Sequence, residues 1–304
     1  MSKQSDIVID VRNVTKKFGN FTALDDISFQ VRRGQIHGFL GPNGAGKSTT
    51  IKLLMDFIRA TKGSATILGK DVTSDSVDIK RDIGYLAGDM ELYDNLTGDQ
   101  YLRYMARLRG ERDYEHLKKF ADDLEATLNR KLGMLSRGNK QKIALLAALI
   151  GDPDLLVLDE PTTGLDPLMQ QKFYKVLREH SRRGKTVFMS SHILGEVQEV
   201  CDQVTFMKHG RIIETVDVDR LLSATKRHVV LEFDSRATIL DPPAKLAIQR
   251  LRRTKTQLSF DVEVADRTLM RWIASQDVAN VTISEATLDS VFLGMYEEET
   301  HDVR

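Results

Sequence analysis

The chain has 304 residues, enough for one large domain or two modest ones; 41% are hydrophobic and 29% charged, and 44 basic against 44 acidic side chains leave a formal net charge of zero. That neutrality argues against a protein built to neutralise a nucleic-acid backbone, and the lone Cys201 excludes an intrachain disulfide and fits a reducing compartment. The longest clean apolar run, 143–150, is far short of the roughly 20 residues of a membrane span, and the opening MSKQSDIVID lacks the apolar core of a signal peptide. A soluble, cytoplasmic protein is expected, reaching any membrane through a partner.

Residues 7–14 alternate enough to read as a strand, and 27–31 (ISFQV) alternate cleanly. After a turn at Arg33-Gly34, 35–40 (QIHGFL) make a short buried strand that runs into a glycine-rich loop. Residues 47–58 then place Ile51, Leu54, Met55 and Ile58 at helical spacing. The stretch 91–150 lacks strand patterns and carries expected helices at 101–109, 114–129 and 141–150. From 155 strand and helix alternate again: LLVLD a strand, 169–184 a helix, 186–192 (TVFMSSH) a strand, 195–201 a short helix, 204–208 a strand, and 210–217 a strand or hairpin. The pattern predicts an α/β core with a helical insertion at its centre. Past a seam at 222–227 (LSATKR) it restarts, with strands at 229–233, 257–264 and 278–284. Helices are expected at 245–253 (KLAIQRLRR), 267–274 and 287–296 (TLDSVFLGMY). This predicts a first domain over 4–222 and a separate small α+β domain over 226–304.

Gly41-Pro42-Asn43-Gly44-Ala45-Gly46-Lys47-Ser48-Thr49 fits G-x-x-x-x-G-K-[ST], between an expected strand and an expected helix. Glycines let the backbone fold tightly around an anion, and the helix start adds its positive dipole end. Lys47 is assigned to the β- and γ-phosphates and the Ser48 hydroxyl to Mg²⁺. Downstream, LLVLDE is a buried strand with two carboxylates at its end. Asp159 is placed to bind Mg²⁺ through water, and Glu160 to orient and deprotonate an attacking water.

These motifs, in this order and spacing, resemble the nucleotide-binding subunit of an ABC transporter over about 4–220. The resemblance implies a P-loop NTPase core with an antiparallel β subdomain and a helical subdomain at about 91–150. Phe18, before Gly19-Asn20, matches the aromatic that stacks on adenine. Leu135-Ser136-Arg137-Gly138-Asn139 matches the family signature, usually LSGGQ. PTTGLD, ending at Asp166, matches the D-loop, and His192 after Ser190-Ser191 matches the switch histidine. In the family two such domains face head to tail, and each ATP lies between one phosphate loop and the other chain's signature. Ser136 and Gly138 sit at a helix start, a natural anion-binding end, which suits service in trans. The implied partners are an integral membrane permease subunit and either a second copy of this chain or a homologous ATPase.

The chain departs from the pattern in three places. Arg137 and Asn139 replace a glycine and a glutamine of the signature. Arg137 either adds a cation near the partner's nucleotide or points to solvent. Lys140 and Lys142 replace arginines often found there. Where IGYLPQ is usual, 83–89 read IGYLAGD, so Gly88 stands in place of the Q-loop glutamine; Asp89 serves as metal ligand in its stead, or Mg²⁺ keeps an extra water. TLDSVFLGMY resembles the tail of exporter ATPases that pair with ABC-2 type membrane subunits handling drugs, peptide antibiotics, lipids or sodium. RLRRTK at 250–255 reads as a solvated helix end without the aromatics of nucleic-acid binding. Leu92, Tyr93, Leu96 and Tyr101 are expected to form a groove for a short helix of the permease, or else the core of the insertion. The alternative function is a soluble ABC-type ATPase working on ribosomes or nucleic acid. It predicts paired cassettes or a long coiled coil, plus a basic surface. A kinase or GTPase leaves the signature, D-loop and SSH unexplained, and no NKxD guanine motif is found.

Overall fold

The computed structural model describes residues 6–219, 227–234, 241–243, 246, 248–262 and 267–285. The chain divides into two compact units, Met1–Val216 and Asp217–Arg304. Of the expected seam at 222–227 only Arg227 is described, at the start of a strand, and the expected helix at 287–296 lies outside the described residues.

In chain order the first unit contains β1 (Ile7–Phe18), β2 (Phe21–Arg32), β3 (Ile36–Leu40), α1 (Lys47–Leu54), β4 (Lys62–Ile67), β5 (Lys70–Asp71), α2 (Ser76–Asp82) and β6 (Ile83–Leu86). There follow α3 (Gly98–Leu108), α4 (Lys118–Asp123), α5 (Arg137–Leu149), β7 (Leu155–Leu158), α6 (Pro167–Arg182), β8 (Thr186–Ser191), α7 (Leu194–Val200), β9 (Gln203–Lys208) and β10 (Arg211–Asp217). Two sheets result, an antiparallel one ordered β2-β1-β4-β5 and a six-stranded one ordered β10-β9-β3-β8-β7-β6. In the second, the neighbours from β9 through β6 pair in parallel. Every residue of β3, β7 and β8 is buried, as parallel strands covered on both faces require. β3 and β8 end together, with Leu40 opposite Ser191, and β7 ends at Leu158 opposite Met189, two residues before the end of β8. The residues that follow, Gly41, Asp159 and His192, are thereby delivered to one crevice, where open α/β sheets bind their ligands.

The core lies between the two sheets. Phe29 stacks on Phe188 at 5.7 Å and meets Phe39 at 5.1 Å, with Ile51 and Leu54 of α1 in the same cluster. Local signals set the helix starts. Thr97 and Gln100 form a reciprocal capping box on α3, and Asp166 caps α6 with Pro167 in its first turn.

Several elements differ from expectation. The helix expected at 47–58 ends at Leu54, because Asp56 takes φ +52°. That expected at 114–129 reduces to a 3₁₀ turn at Glu115–Leu117 and the short α4, closed by Glu125 at φ +51°. Strands β4 and β5 and helix α2 had no signal strong enough to read.

The second unit holds β11 (Arg227–Phe233), β12 (Gln249–Arg253), β13 (Gln257–Val262), α8 (Arg267–Ala274) and β14 (Val278–Glu285). Its antiparallel sheet runs β12-β13-β11-β14, and Leu269, Trp272 and Ile273 of α8 pack with Val229, Leu231, Phe233, Leu258 and Phe260. The helix expected at 245–253 is corrected here: its C-terminal part is the edge strand β12. Gln249, Arg252 and Arg253 pair antiparallel with Asp261, Ser259 and Leu258 of β13, and Arg252 and Arg253 suit an exposed sheet edge. RLRRTK is therefore not a helix end.

Candidate functional site

The phosphate loop is built by conflict between space and side chains. A Cβ on Gly41 would fall 2.2 Å from the Met207 carbonyl oxygen of β9, and Gly46 has φ +111° with Leu24 and Met207 side chains against it. Gly44 takes φ +80° in open space. Gly46 caps α1 without a side-chain oxygen, which leaves first-turn amides for an anion. Ala45 is buried beneath the loop, and Pro42 and Asn43 form its outer turn.

The Lys47 ammonium is buried and folded back into the loop. It donates to the carbonyls of Gly41 at 2.8 Å and Pro42 at 3.2 Å, and lies 3.6 Å from Glu160 Oε1. Glu160 holds φ +46°, a strained conformation that turns the carboxylate out of the strand end toward the loop. The same Oε1 is 3.3 Å from His192 Nδ1. Ser190 fixes this arrangement from below: its hydroxyl accepts the Glu160 N–H at 2.9 Å and donates to Asp159 Oδ1 at 2.6 Å. Asp159 Oδ1 also accepts the Ser48 hydroxyl at 3.1 Å.

Two cavities open here. One of about 250 Å³ is lined by Phe21, Ala23, Asn43, Gly44, Gly46, Lys47, Ser48, Thr49 and Glu160. The other, about 550 Å³, joins Ser48, Asp159, Glu160, Gly88, Asp89, Tyr85 and Arg137. Burial, and after it the charges of Asp159 and Asp89, push the Tyr85 phenol up to about 12, so both carboxylates bear on this cavity. A Cβ at Gly88 would press on the Asp159 carbonyl at 3.3 Å and its carboxylate at 3.5 Å.

The residues fit a magnesium triphosphate. A loop of amides around a buried ammonium suits phosphate oxygens, and a hydroxyl facing a carboxylate offers hard oxygen donors. Among the described residues no three His, Cys, Asp or Glu side chains gather into a metal cage.

The other expected site residues lie as follows. Ser136 is the N-cap of α5 and accepts the Asn139 N–H at 3.4 Å. Gly138 faces the Gly164 carbonyl, 2.9 Å from where a Cβ would stand. Asp166 accepts the Met169 N–H at 3.0 Å as cap of α6. Arg137 is exposed, as the solvent alternative has it, and also packs over Gly164 and lines the larger cavity of its own chain. Phe18 stands opposite Phe21 across the hairpin, with the Lys16 ammonium 4.8 Å over its ring. It is Phe21 that borders the loop cavity. Sequence reading passed over Phe21, and also Ser190, whose signal was its place before His192 in SSH.

A third cavity, about 440 Å³, lies between core and insertion, lined by Phe57, Tyr85, Leu92, Tyr101, Met105, Arg109 and the Ala144, Ala147 and Ala148 face of α5. Arg109 anchors its floor, donating to the carbonyls of Ile83 and Ile150. Leu92 and Tyr101 line this groove as expected, while Tyr93 stands outside it, 57% exposed, against Tyr101 and Tyr104.

A strand–loop–helix phosphate cradle, with a carboxylate and a glutamate at the end of a buried strand of the same sheet, defines a P-loop nucleotide site. The family profile described as ABC transporter matches residues 24–163. The chain is 38% identical over 219 residues to the probable multidrug ABC transporter ATP-binding protein YbhF of Escherichia coli, covering 70% of this chain and 38% of that one. It thus spans well under half of that relative's length. Over 233 residues it is 34% identical to the bacitracin transport ATP-binding protein BcrA of Bacillus licheniformis, covering 74% of each. A solved ATP-binding subunit of an ABC transporter superposes with a TM-score of 0.65 at 29% identity, over 70% of this chain and 91% of that one. The chain belongs to the ABC transporter family, among its ATP-binding proteins. Among the described residues no helix is long and apolar enough to cross a membrane.

Proposed function

We propose that this chain is the ATP-hydrolysing motor of an ABC exporter, working on the cytoplasmic face of the membrane through a separate permease subunit. The observation that carries the reading is the Glu160 carboxylate, held by strained backbone within 3.6 Å of Lys47 and 3.3 Å of His192 at the mouth of the loop. Gly41 through Thr49 bind the ATP phosphates, Lys47 releasing its loop carbonyls for them. An aromatic of the β1–β2 hairpin, Phe18 or Phe21, covers the base. Glu160 accepts the proton of the attacking water, and His192 fixes the Glu160 carboxylate and meets the γ-phosphate. Ser48, Asp159 and Asp89 would hold Mg²⁺, which neutralises phosphate charge when bound.

Ser136, Gly138 and Asp166 act across the interface on the nucleotide of a second copy or of a homologous ATPase. Hydrolysis removes the charge that joins the two, and the interface opens. The groove under Phe57 and Tyr101 is the seat for the permease. A relative named for Nod factor export supports the export reading; the ABC-2 type permease rests on the resemblance of the 287–296 tail. Affinity purification from native membranes tests the whole: an integral membrane protein should co-purify and ATP should be hydrolysed. Recovery of ribosomes or nucleic acid alone would overturn it.

A further inference from the structure

Glu196 on α7 is only 5% exposed and forms no ion pair among the described residues. It is buried on α7 together with Leu194, Val197 and Val200, where an apolar side chain would pack without desolvating a charge. Its two oxygens are both used. Oε1 accepts the Thr162 hydroxyl at 2.5 Å, and Oε2 accepts the Ser191 hydroxyl at 2.6 Å. The Ser191 oxygen in turn accepts the Ile193 N–H at 2.9 Å. One carboxylate therefore ties the turn two residues beyond Glu160 to both backbone neighbours of His192. The same turn is held from the opposite side, since Gln141 of the signature helix donates to the Pro161 carbonyl at 2.6 Å.

We propose that Glu196 is a positioning residue for ATP hydrolysis. It clamps the segment after Glu160 to the segment around His192, so that the two catalytic side chains keep their approach and the D-loop and switch histidine move as one body. Hydroxyl-to-carboxylate bonds are short and strong, and joined in series through Ser191 they reinforce each other. A misplacement of the order of 1 Å at the reacting groups is enough to lower turnover about a hundredfold. The proposal rests on the ATPase reading given above.

Steady-state hydrolysis by the full chain with Mg²⁺ and ATP separates the two ideas. Glu196→Ala should lower kcat about tenfold or more while KM for ATP stays within about twofold. Glu196→Gln can accept one hydroxyl bond and donate the other, so turnover should return to within about twofold of the wild type. Thr162→Val and Ser191→Ala should each lower kcat, and the double variant should fall no further than the worse single one, since both break one clamp. A wild-type rate in Glu196→Ala, parallel loss in Glu196→Gln, or losses that multiply in the double variant would overturn the clamp. Should Glu196→Ala not fold, the Thr162 and Ser191 pair decides alone. A wild-type chain that binds ATP but never hydrolyses it, with or without membrane partner, overturns the ATPase reading itself.

Discussion

The Nδ1 of His192 stands 3.3 Å from Oε1 of Glu160, and that oxygen is also the one nearest Lys47, at 3.6 Å. A single carboxylate oxygen thus links the buried ammonium of the glycine-rich loop to the residue that follows β8. Glu160→Gln keeps shape and hydrogen bonding but removes the base. Hydrolysis should fall about a hundredfold or more while ATP is still bound, with a dimer accumulating at saturating ATP. His192→Ala should slow turnover without loss of binding, and Lys47→Ala should weaken binding itself. Phosphate release and gel filtration read all three. Glu160→Gln turning over at the wild-type rate would remove Glu160 as the base.

Gly88 and Asp89 make a second prediction. With no side chain at 88, Asp89 is the carboxylate left on the cavity wall beside Ser48 and Asp159. Asp89→Ala should raise the Mg²⁺ concentration for half-maximal hydrolysis severalfold, with kcat at saturating Mg²⁺ less affected. Gly88→Ala, whose Cβ meets the Asp159 carbonyl at a tight 3.3 Å, should cost a few-fold in activity at most. Identical Mg²⁺ titrations of Asp89→Ala and wild type would exclude Asp89 from the metal.

The two hairpin aromatics can be separated by nucleotide affinity. Phe21 borders the loop cavity, whereas Phe18 carries Lys16 over its face. Loss of a stacking ring is worth about 1–3 kcal/mol per base, or roughly 5- to 150-fold in Kd. Phe21→Ala should show the larger loss, and Phe18→Ala the smaller. The reverse order, measured by calorimetry with ATP, would return the base to Phe18.

The legible parts of this chain were those where local chemistry leaves few options. Gly41–Thr49 requires backbone that only glycine allows at Gly46 and an ammonium at Lys47, so loop, flanking strand and helix could be read together. LLVLDE is an apolar run too short for a helix, with its acids at the end. Tertiary devices were not legible. Phe21 is one exposed aromatic in an alternating strand, and nothing nearby marks it as facing the loop. Glu196 was findable as an acid inside an apolar helical stripe, but its partners Thr162 and Ser191 are distant in sequence. KLAIQRLRR supports either period, and the vacant edge of β13 decided for strand.

The groove between core and insertion should fail when charged. Phe57 is 54% exposed, lines it, and meets Tyr85 edge-on at 5.6 Å. Phe57→Glu should abolish co-purification of the membrane partner while ATP binding persists, because an apolar seat loses most of its affinity when a charge is buried in it. Charged replacements of Tyr93 and Leu96 test the rim, and should weaken the complex less than Phe57→Glu, given that Tyr93 stands outside the cavity. Undiminished recovery of the partner with Phe57→Glu would move the docking site elsewhere.

Two buried imidazoles make stability depend on pH. His37 in β3 bonds Thr205 at 2.8 Å and Gln35 at 3.0 Å, and burial pushes it down to about 4. His180 in α6 is likewise held at about 4, first by burial and then by the charges of Arg183 and Lys185, against an opposing pull from Asp152. Unfolded, each titrates near 6.5. Between these values the unfolded chain binds the extra protons, so stability is constant above about 6.5 and falls as pH drops toward 4. Each histidine contributes up to roughly 3 kcal/mol over that window. The melting temperature should therefore decline by several degrees between pH 7 and 5, and imidazole resonances of His37 and His180 should stay in the neutral form at pH 5. Their protonation above pH 6 in the folded protein would refute the account.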